Sequence, residues 1–179
     1  MRKIKNEELH RMDLETFKVS KKMPWVIVLD NIRSMHNVGA TFRTADAFRI
    51  EKIILTGITA QPPHRVIQKS ALGATESVSW EYLSEPKMAL EQLRSADYQI
   101  IGIEQTDKSL ALDTFQPDSN KKYAFFFGNE VFGITDEVIA NVDSCFEIPQ
   151  FGTKHSLNIS VSVGVVMWDI FQKIGRLLL

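Results

Sequence analysis

Six short apolar runs, rich in Val, Ile, Phe and Tyr, alternate with amphipathic stretches along most of this chain. Runs mostly unbroken by charge are typical of strands that are buried on both faces of a sheet. They cover residues 25–29, 52–55, 77–82, 98–103, 123–127 and 145–148. Between them, helical patterns predict helices at about 37–48, 64–72, 86–95, 135–141 and 158–178. Strand followed by helix, repeated, predicts an α/β fold with a mainly parallel sheet flanked by helices.

Charge divides the chain into two parts. The 179 residues, 44% of them hydrophobic, fit one globular domain, and the net charge is −1. Residues 1–22 nevertheless carry a surplus of three positive charges. We expect a basic, helical N-terminal extension at 1–22 and a folded domain at 23–179. The extension fits either a solvated terminal helix or a contact with nucleic acid, since phosphate neutralisation needs local positive charge.

Cysteine, histidine and the chain ends bear on the cellular setting. The lone Cys145 excludes an intrachain disulfide and a Cys-rich metal cage. The four histidines show no paired ligand spacing, so we expect no metal. No apolar segment follows the charged residues after Met1, and Asp169 and Lys173 interrupt the apolar C-terminal stretch. We expect a cytoplasmic protein without a membrane partner.

Three motifs follow predicted strands, where open parallel sheets bind ligands. The first is N-x-G-x-x-x-R-T-A, which begins at Asn37, and the second is G-N-E-x-x-G, which begins at Gly128. The third is I-P-x-x-G-x-x-x-S-L-N, which begins at Ile148 and ends at Asn158. The usual nucleotide signatures, G-x-G-x-x-G after a strand and G-x-x-x-x-G-K-[ST], are missing.

The three motifs, in this order, resemble those of the SpoU family, also called TrmH, of RNA 2′-O-ribose methyltransferases in the SPOUT superfamily. The resemblance covers about residues 25–175. It implies a SPOUT methyltransferase domain at 23–179 with a deep trefoil knot near the C-terminus. It also implies S-adenosylmethionine as the cofactor and a homodimer.

The resemblance assigns residues to two groups. The implied catalytic residues are Arg43, Asn37, Glu130, Ser156 and Asn158. The implied cofactor-binding residues are Gly102, Ile103, Gly128, Ile148 and Leu157. Family reasoning makes Arg43 an activator of the 2′-hydroxyl, sometimes as a general base. Because a guanidinium stays protonated near neutral pH, we favour an electrostatic clamp for it.

Most of the implied catalytic residues also have ordinary structural explanations. Arg43 could form a surface pair with Asp46, three residues further on. Asn37, and Ser156 with Asn158, could cap the helices that follow them, and Glu130 could be a solvated loop acid.

The last predicted helix is apolar on two sides. One stripe holds Val161, Val165, Trp168, Phe171, Ile174 and Leu178, and beside it lie Val163, Val166, Met167 and Ile170. A helix apolar this far round is either a dimer interface or an internal core helix. We expect a homodimer through this helix.

The expected function is S-adenosylmethionine-dependent methylation of a ribose 2′-hydroxyl in RNA. The substrate is tRNA by preference, because a compact dimer with basic ends suits a compact RNA, and rRNA stays open. The alternatives are a catalytically inactive RNA-binding module with the same fold and a SPOUT enzyme that methylates a base.

Overall fold

The structure, a computed structural model, describes residues 1–178, apart from the side chain of Asn6. Leu179, the last residue of the expected domain, lies outside the described residues. Within this part of the chain, no helix is both long and apolar enough to cross a membrane.

Seven parallel strands form one sheet in the order β3-β2-β1-β6-β4-β7-β5. They are β1 Met23–Asp30, β2 Ile50–Thr56, β3 Ser79–Leu83, β4 Tyr98–Ile103, β5 Leu110–Ala111, β6 Lys122–Phe127 and β7 Ser144–Glu147. The six predicted strands and the parallel sheet are confirmed. β5 was not predicted, because two residues are too short to show a period.

Helices connect the strands. They are α1 Leu14–Val19, α2 Met35–Ala47, α3 Arg65–Ala71, α4 Ala74–Ser77, α5 Pro86–Ser95, α6 Asp136–Ile139, α7 Ile159–Ile170 and α8 Arg176–Leu178. The single helix predicted at 158–178 is wrong in its continuity, because a π-helical turn at Phe171–Gly175 separates α7 from α8. α4 lies outside the predicted helices.

The central strand β1 places alternate side chains on opposite faces of the sheet. Trp25, Ile27 and Leu29 join a core with side chains of α2, α3 and α7. Val26 and Val28 join a second core with α5 and α6. Burial on both faces, as predicted, therefore holds for β1. It is wrong for β3, whose residues are exposed or half-buried because this edge strand has only β2 as a neighbour.

The N-terminal extension is helical in two short segments, a 3₁₀ turn at Asn6–Leu9 and α1. Phe17 of α1 is buried. The ammonium of Lys22 lies 4.3 Å from the centre of the Phe17 ring and donates a hydrogen bond to the carbonyl of Ser20 at 3.2 Å. One of the extension's basic side chains therefore serves the packing of α1. The trefoil knot implied by the resemblance stays a prediction.

Candidate active site

A cleft of about 450 Å³ lies over the carboxyl ends of β4, β6 and β7. Ile103, Phe127 and Glu147, at the ends of these strands, contribute to its wall. The turn after β6 and the segment between β7 and α7 supply most of the remainder. The second and third motifs thus meet at one edge of the sheet, where ligands bind in folds of this type.

Seven of the ten expected site residues line this cleft, and they are Ile103, Gly128, Glu130, Ile148, Ser156, Leu157 and Asn158. Gly102, Asn37 and Arg43 do not. Each of these three lies elsewhere for a different reason.

Glu130 joins the second motif to the first. One of its carboxylate oxygens accepts a hydrogen bond from the backbone N–H of Arg33 at 2.9 Å. The other accepts from the N–H of Ser34 and from the side-chain amide of Asn37, both at 3.0 Å. The carboxylate therefore sits at the start of α2, where the free N–H groups of a helix favour negative charge. Glu130 is exposed, as the explanation as a solvated loop acid expects, but its carboxylate also binds the start of α2.

These contacts also set the charge state of Glu130. Partial burial by itself raises the pKa of the carboxyl group. The hydrogen bonds from Arg33, Ser34 and Asn37 outweigh it, so the pKa of Glu130 lies below its usual value. Glu130 is ionised at neutral pH, and both of its oxygens are engaged.

Asn37 lies beside the cleft and acts through Glu130. It is 8% exposed, and its amide holds the Glu130 carboxylate. The cap of α2 is Ser34, whose hydroxyl accepts from the N–H of Asn37 at 3.3 Å, so the capping explanation of Asn37 is wrong.

Gly128 and Gly133 are needed because the turn between them folds back on itself. The backbone groups of Asn129 and Gly133 exchange two hydrogen bonds of 2.9 Å. A side chain on Gly128 would fall on the backbone of Gly133 and Ile134, and Gly133 has a φ of +70°. Gly128 is therefore required by the close approach of the backbone, and Gly133 by its positive φ.

Asn129, which the sequence analysis placed in the motif but not in the site, holds this turn in position. Its side-chain amide donates to the carbonyl of Asn31 at 2.7 Å, and its side-chain oxygen accepts from the N–H of Val131 at 2.9 Å. The turn is thereby fixed to the segment that follows β1.

Two further carboxylates fix the same turn, and the sequence analysis missed both. Glu104, just after β4, accepts from the N–H of Ile134 at 3.0 Å. Asp30, the fully buried last residue of β1, accepts from the N–H and the hydroxyl of Thr135, both at 3.1 Å. Burial raises the pKa of Asp30. The sequence signal that could have identified both residues is an acidic residue at the end of an apolar run.

Asn158 is both a helix cap and a residue of the cleft, the two explanations that the sequence offered for it. Its side-chain oxygen caps α7 by accepting from the N–H of Ser160 at 2.9 Å, and the residue also lines the cleft. Its amide nitrogen and the hydroxyl of Ser156 make no hydrogen bond within residues 1–178. The cleft therefore presents two polar groups that are open to a ligand. The side chain of Gln105 donates to the carbonyl of His155 at 3.1 Å, which joins the segment after β4 to the segment before α7.

The wall of the cleft is acidic. Three carboxylates belong to its wall, those of Glu104, Glu130 and Glu147, and none of the described residues in the wall is Lys or Arg. Such a wall favours a cationic ligand over a phosphate.

Arg43 is exposed on α2 and lies in a separate groove with Phe48, Leu72 and Gly164. No ion pair joins it to Asp46 among the described residues; Asp46 instead accepts a hydrogen bond from the hydroxyl of Ser77. The explanation of Arg43 as a surface pair is therefore wrong.

Gly102 is buried inside β4. A Cβ atom there would lie 2.8 Å from the sulfur of Cys145 on the neighbouring strand. Its lack of a side chain serves strand packing, whereas the next residue, Ile103, reaches the cleft.

One side of α7 is buried, and the other is open. Val163, Val166, Met167 and Ile170 pack in the core. Val161, Val165 and Trp168 are 50%, 38% and 52% exposed, and we call these three the exposed α7 face. An entirely internal helix is therefore wrong. Ile174 does not continue this face, because it is buried.

Within the described chain, no three His, Cys, Asp or Glu side chains are grouped to hold a metal ion.

Solved structures identify the class of fold. The structure matches the A. aeolicus TrmH/SpoU tRNA modifying enzyme with a TM-score of 0.79 and 21% identity, over 91% of this chain and 81% of that one. It matches the AdoMet-bound rRNA methyltransferase of Sinorhizobium meliloti with a TM-score of 0.77 and 24% identity, over 83% and 56%. The chain therefore shares the fold of these two enzymes.

The family follows from the sequence. The model of the SpoU rRNA Methylase family matches residues 24–168, and the chain belongs to that family. It is 33% identical over 144 residues to the 23S rRNA (guanosine-2′-O-)-methyltransferase RlmB of Neisseria meningitidis, covering 80% of this chain and 56% of that protein. It is 29% identical over 149 residues to the tRNA (guanosine(18)-2′-O)-methyltransferase of Borreliella burgdorferi, covering 83% and 66%. The chain thus spans less than two thirds of either relative.

Proposed function

We propose that this protein methylates the 2′-hydroxyl of a ribose in RNA and takes the methyl group from S-adenosylmethionine. The observation that carries the proposal is the cleft over β4, β6 and β7, which the second and third motifs of a SpoU family chain build together. Relatives named as ribose methyltransferases of tRNA and of rRNA support the reaction type.

The cleft suits S-adenosylmethionine. Its volume of about 450 Å³ is within the usual range for small-ligand sites. The cofactor has a sulfonium, an ammonium and a carboxylate, so its net charge is positive and matches the three carboxylates of the wall. Ile103, Gly128, Ile148 and Leu157 would hold it. When bound, it supplies an electrophilic methyl group.

The ribose needs to be oriented, and Ser156 and Asn158 have the free groups for it. A hydroxyl and an amide that make no other hydrogen bond within the described chain can bind ribose oxygens at small cost. Glu130 and Asn37 act as positioning residues, since their polar atoms bind each other and the start of α2.

The exposed α7 face supports a homodimer. Three apolar side chains on successive turns form a patch of the kind that marks protein interfaces. A two-fold interface uses the same patch on both subunits. The groove that holds Arg43 includes Gly164 of α7, so Arg43 lies next to this face.

We infer that Arg43 acts in the cleft of the partner subunit. It does not line its own cleft, whereas Asn158 and Ser162, at the beginning of α7, do. In a two-fold pairing across the exposed α7 face with the two α7 helices antiparallel, the Arg43 of each subunit would lie toward the α7 start of the other. There the protonated guanidinium would clamp the RNA phosphate and stabilise the alkoxide that develops on the 2′-oxygen. Water or that phosphate would accept the proton.

We favour tRNA in the cytoplasm as the substrate, and rRNA is the alternative. The deciding experiment incubates the purified protein with tRNA or rRNA and labelled S-adenosylmethionine and then analyses the nucleosides. Label in a 2′-O-methylnucleoside supports the proposal. Label on a base indicates a base methyltransferase, and binding of RNA without transfer indicates an inactive module.

Mixed dimers test where Arg43 acts. Arg43→Ala and Asn158→Ala are each expected to be inactive. Co-expression in equal amounts should restore about a quarter of the wild-type sites, because half of the dimers are mixed and each mixed dimer has one complete site. Restored activity requires action across the dimer. Persistent inactivity, with mixed dimers verified by mass spectrometry, would place Arg43 in its own subunit's site.

A further inference from the structure

Two of the chain's phenylalanines are almost entirely exposed. The sequence contains eleven, and the other nine are buried or half-buried in the structure. Phe132 is 84% exposed, and Phe151 is 98% exposed. Single exposed apolar residues are common on protein surfaces, so the position of these two decides whether they matter.

Both phenylalanines stand at the rim of the cleft. Phe132 lies between Val131 and Gly133, and Phe151 follows Gln150; these three neighbours line the cleft. The position of Phe132 is fixed, because its backbone N–H donates to the side chain of the buried Asn129 at 3.2 Å. Its exposure therefore belongs to the ordered turn that also carries Glu130.

The charge of the cleft wall differs from that of the segment after Phe151. Three carboxylates line the wall, so an RNA phosphate is disfavoured against it. Lys154, three residues after Phe151, is exposed and forms no ion pair among the described residues. A cation and an aromatic ring on one short exposed segment suit a nucleotide, whose phosphate binds the cation while its base stacks on the ring.

We propose that Phe132 and Phe151 are stacking platforms for unpaired bases next to the target ribose. The inference rests on the proposed function for the identity of that ribose, but stacking itself requires only RNA binding. Bases within a duplex are already stacked on their neighbours, so the target nucleotide lies in a loop, bulge or end. A partner subunit is a poorer occupant of this surface, because polar Gln150 and Lys154 interrupt it, whereas the exposed α7 face is continuous.

The test uses Phe132→Leu, Phe151→Leu and the two matching tyrosine variants. Leucine keeps an apolar side chain but lacks an aromatic face, whereas tyrosine keeps the face. The probe is a fluorescent stem-loop RNA, compared with the same stem-loop carrying abasic loop nucleotides. Each leucine variant should bind the intact stem-loop roughly 10-fold more weakly, since one base–aromatic stack contributes a factor of about 5 to 150. The tyrosine variants should bind like the wild type.

The abasic stem-loop isolates stacking from a general loss of structure. Wild type and leucine variants should bind it equally weakly. S-adenosylmethionine affinity by calorimetry and dimer mass by light scattering should not change. Met88→Ala, at an exposed apolar position on α5, is the matched control and should leave RNA binding unchanged.

Several results would overturn the proposal. They are wild-type RNA affinity in both leucine variants, an equal loss on intact and abasic RNA, and dissociation of the dimer in the leucine variants. The outcome is separable from that of the proposed function. If no methyl transfer is found but the leucine variants lose affinity for the intact stem-loop and not for the abasic one, the enzyme assignment fails and the stacking platforms stand.

Discussion

Replacing Glu130 by Gln removes a charge from the cleft wall while keeping the size of the side chain. The wild-type carboxylate accepts three hydrogen bonds, from the N–H groups of Arg33 and Ser34 and from the amide of Asn37. Glutamine has one acceptor oxygen. If that oxygen keeps the bonds to Ser34 and Asn37, its amide group faces the N–H of Arg33, which then loses its partner.

The expected loss of stability is about 2 kcal/mol. A hydrogen bond to a charged group contributes about 1.5–3 kcal/mol, and we take the lower end because Glu130 is exposed and solvent screens its charge. Loss of negative charge at the start of α2 adds about 0.3–1 kcal/mol. Asn37→Ala should cost about 1 kcal/mol, and the double variant should cost less than the sum, because both substitutions remove parts of one network.

Urea unfolding at a fixed protomer concentration measures these values, since dimerisation would make stability depend on concentration. The pH dependence gives a second test. The pKa of Glu130 is lowered in the folded protein relative to about 4.5 in the unfolded chain. Its contribution is therefore fully present above the unfolded pKa and is lost as the pH falls through the lower folded pKa.

The difference between wild type and Glu130→Gln should accordingly be constant from about pH 7 to about pH 5 and shrink below about pH 4. The variant should also bind RNA more weakly, because α2 is no longer held against the cleft. Equal urea midpoints for the two proteins at neutral pH would refute the role of Glu130 as the link between the first and second motifs. A stability difference that persists in acid would refute the electrostatic explanation.

Three further predictions concern other parts of the molecule. Gly128→Ala should abolish S-adenosylmethionine binding in calorimetry, because the new methyl group falls on the backbone of the folded-back turn, whereas Gly152→Ala, which meets nothing within 4 Å, should retain full folding stability. Trp168→Glu should give a monomer mass in light scattering at micromolar concentration, since a charge is costly in an apolar interface; a dimer mass would reject the exposed α7 face as the interface. Deleting residues 2–22 should weaken RNA binding and flatten its salt dependence while leaving cofactor affinity unchanged, and equal salt slopes would contradict a role for this segment in RNA binding.

The strands could be predicted because their sequence pattern is local. Runs such as 25–29 and 123–127 are apolar along their whole length, since both faces of a central strand are buried. The edge strand Ser79–Leu83 shows the limit of that reasoning. Its composition resembles that of the others, but burial depends on its place in the sheet, which the run alone does not contain.

The site could be predicted mainly where a motif marks it. Most residues of the second and third motifs line the cleft, because these motifs follow neighbouring strand ends. The contacts of Asp30 and Glu104 with the turn after β6 join residues 105 and 30 positions apart. No spacing rule connects such distant residues. Arg43 belongs to a motif but lies on a different surface, because α2 carries the motif from Asn37, beside the cleft, to the groove that includes Gly164 of α7.

The π-helical turn at Phe171–Gly175 changes the direction in which the side chains of the following residues point. In an unbroken α-helix, the residue seven positions beyond the buried Ile170 would share its core-facing side, and that residue is Leu177. Leu177 is instead 76% exposed, and Leu178 packs against the core. The turn has absorbed one extra residue, which rotates the following side chains by about 100°. The turn therefore acts as a one-residue insertion in an otherwise regular helix, and deleting one of its residues would place Leu178 seven positions after Ile170, so that it would still face the core.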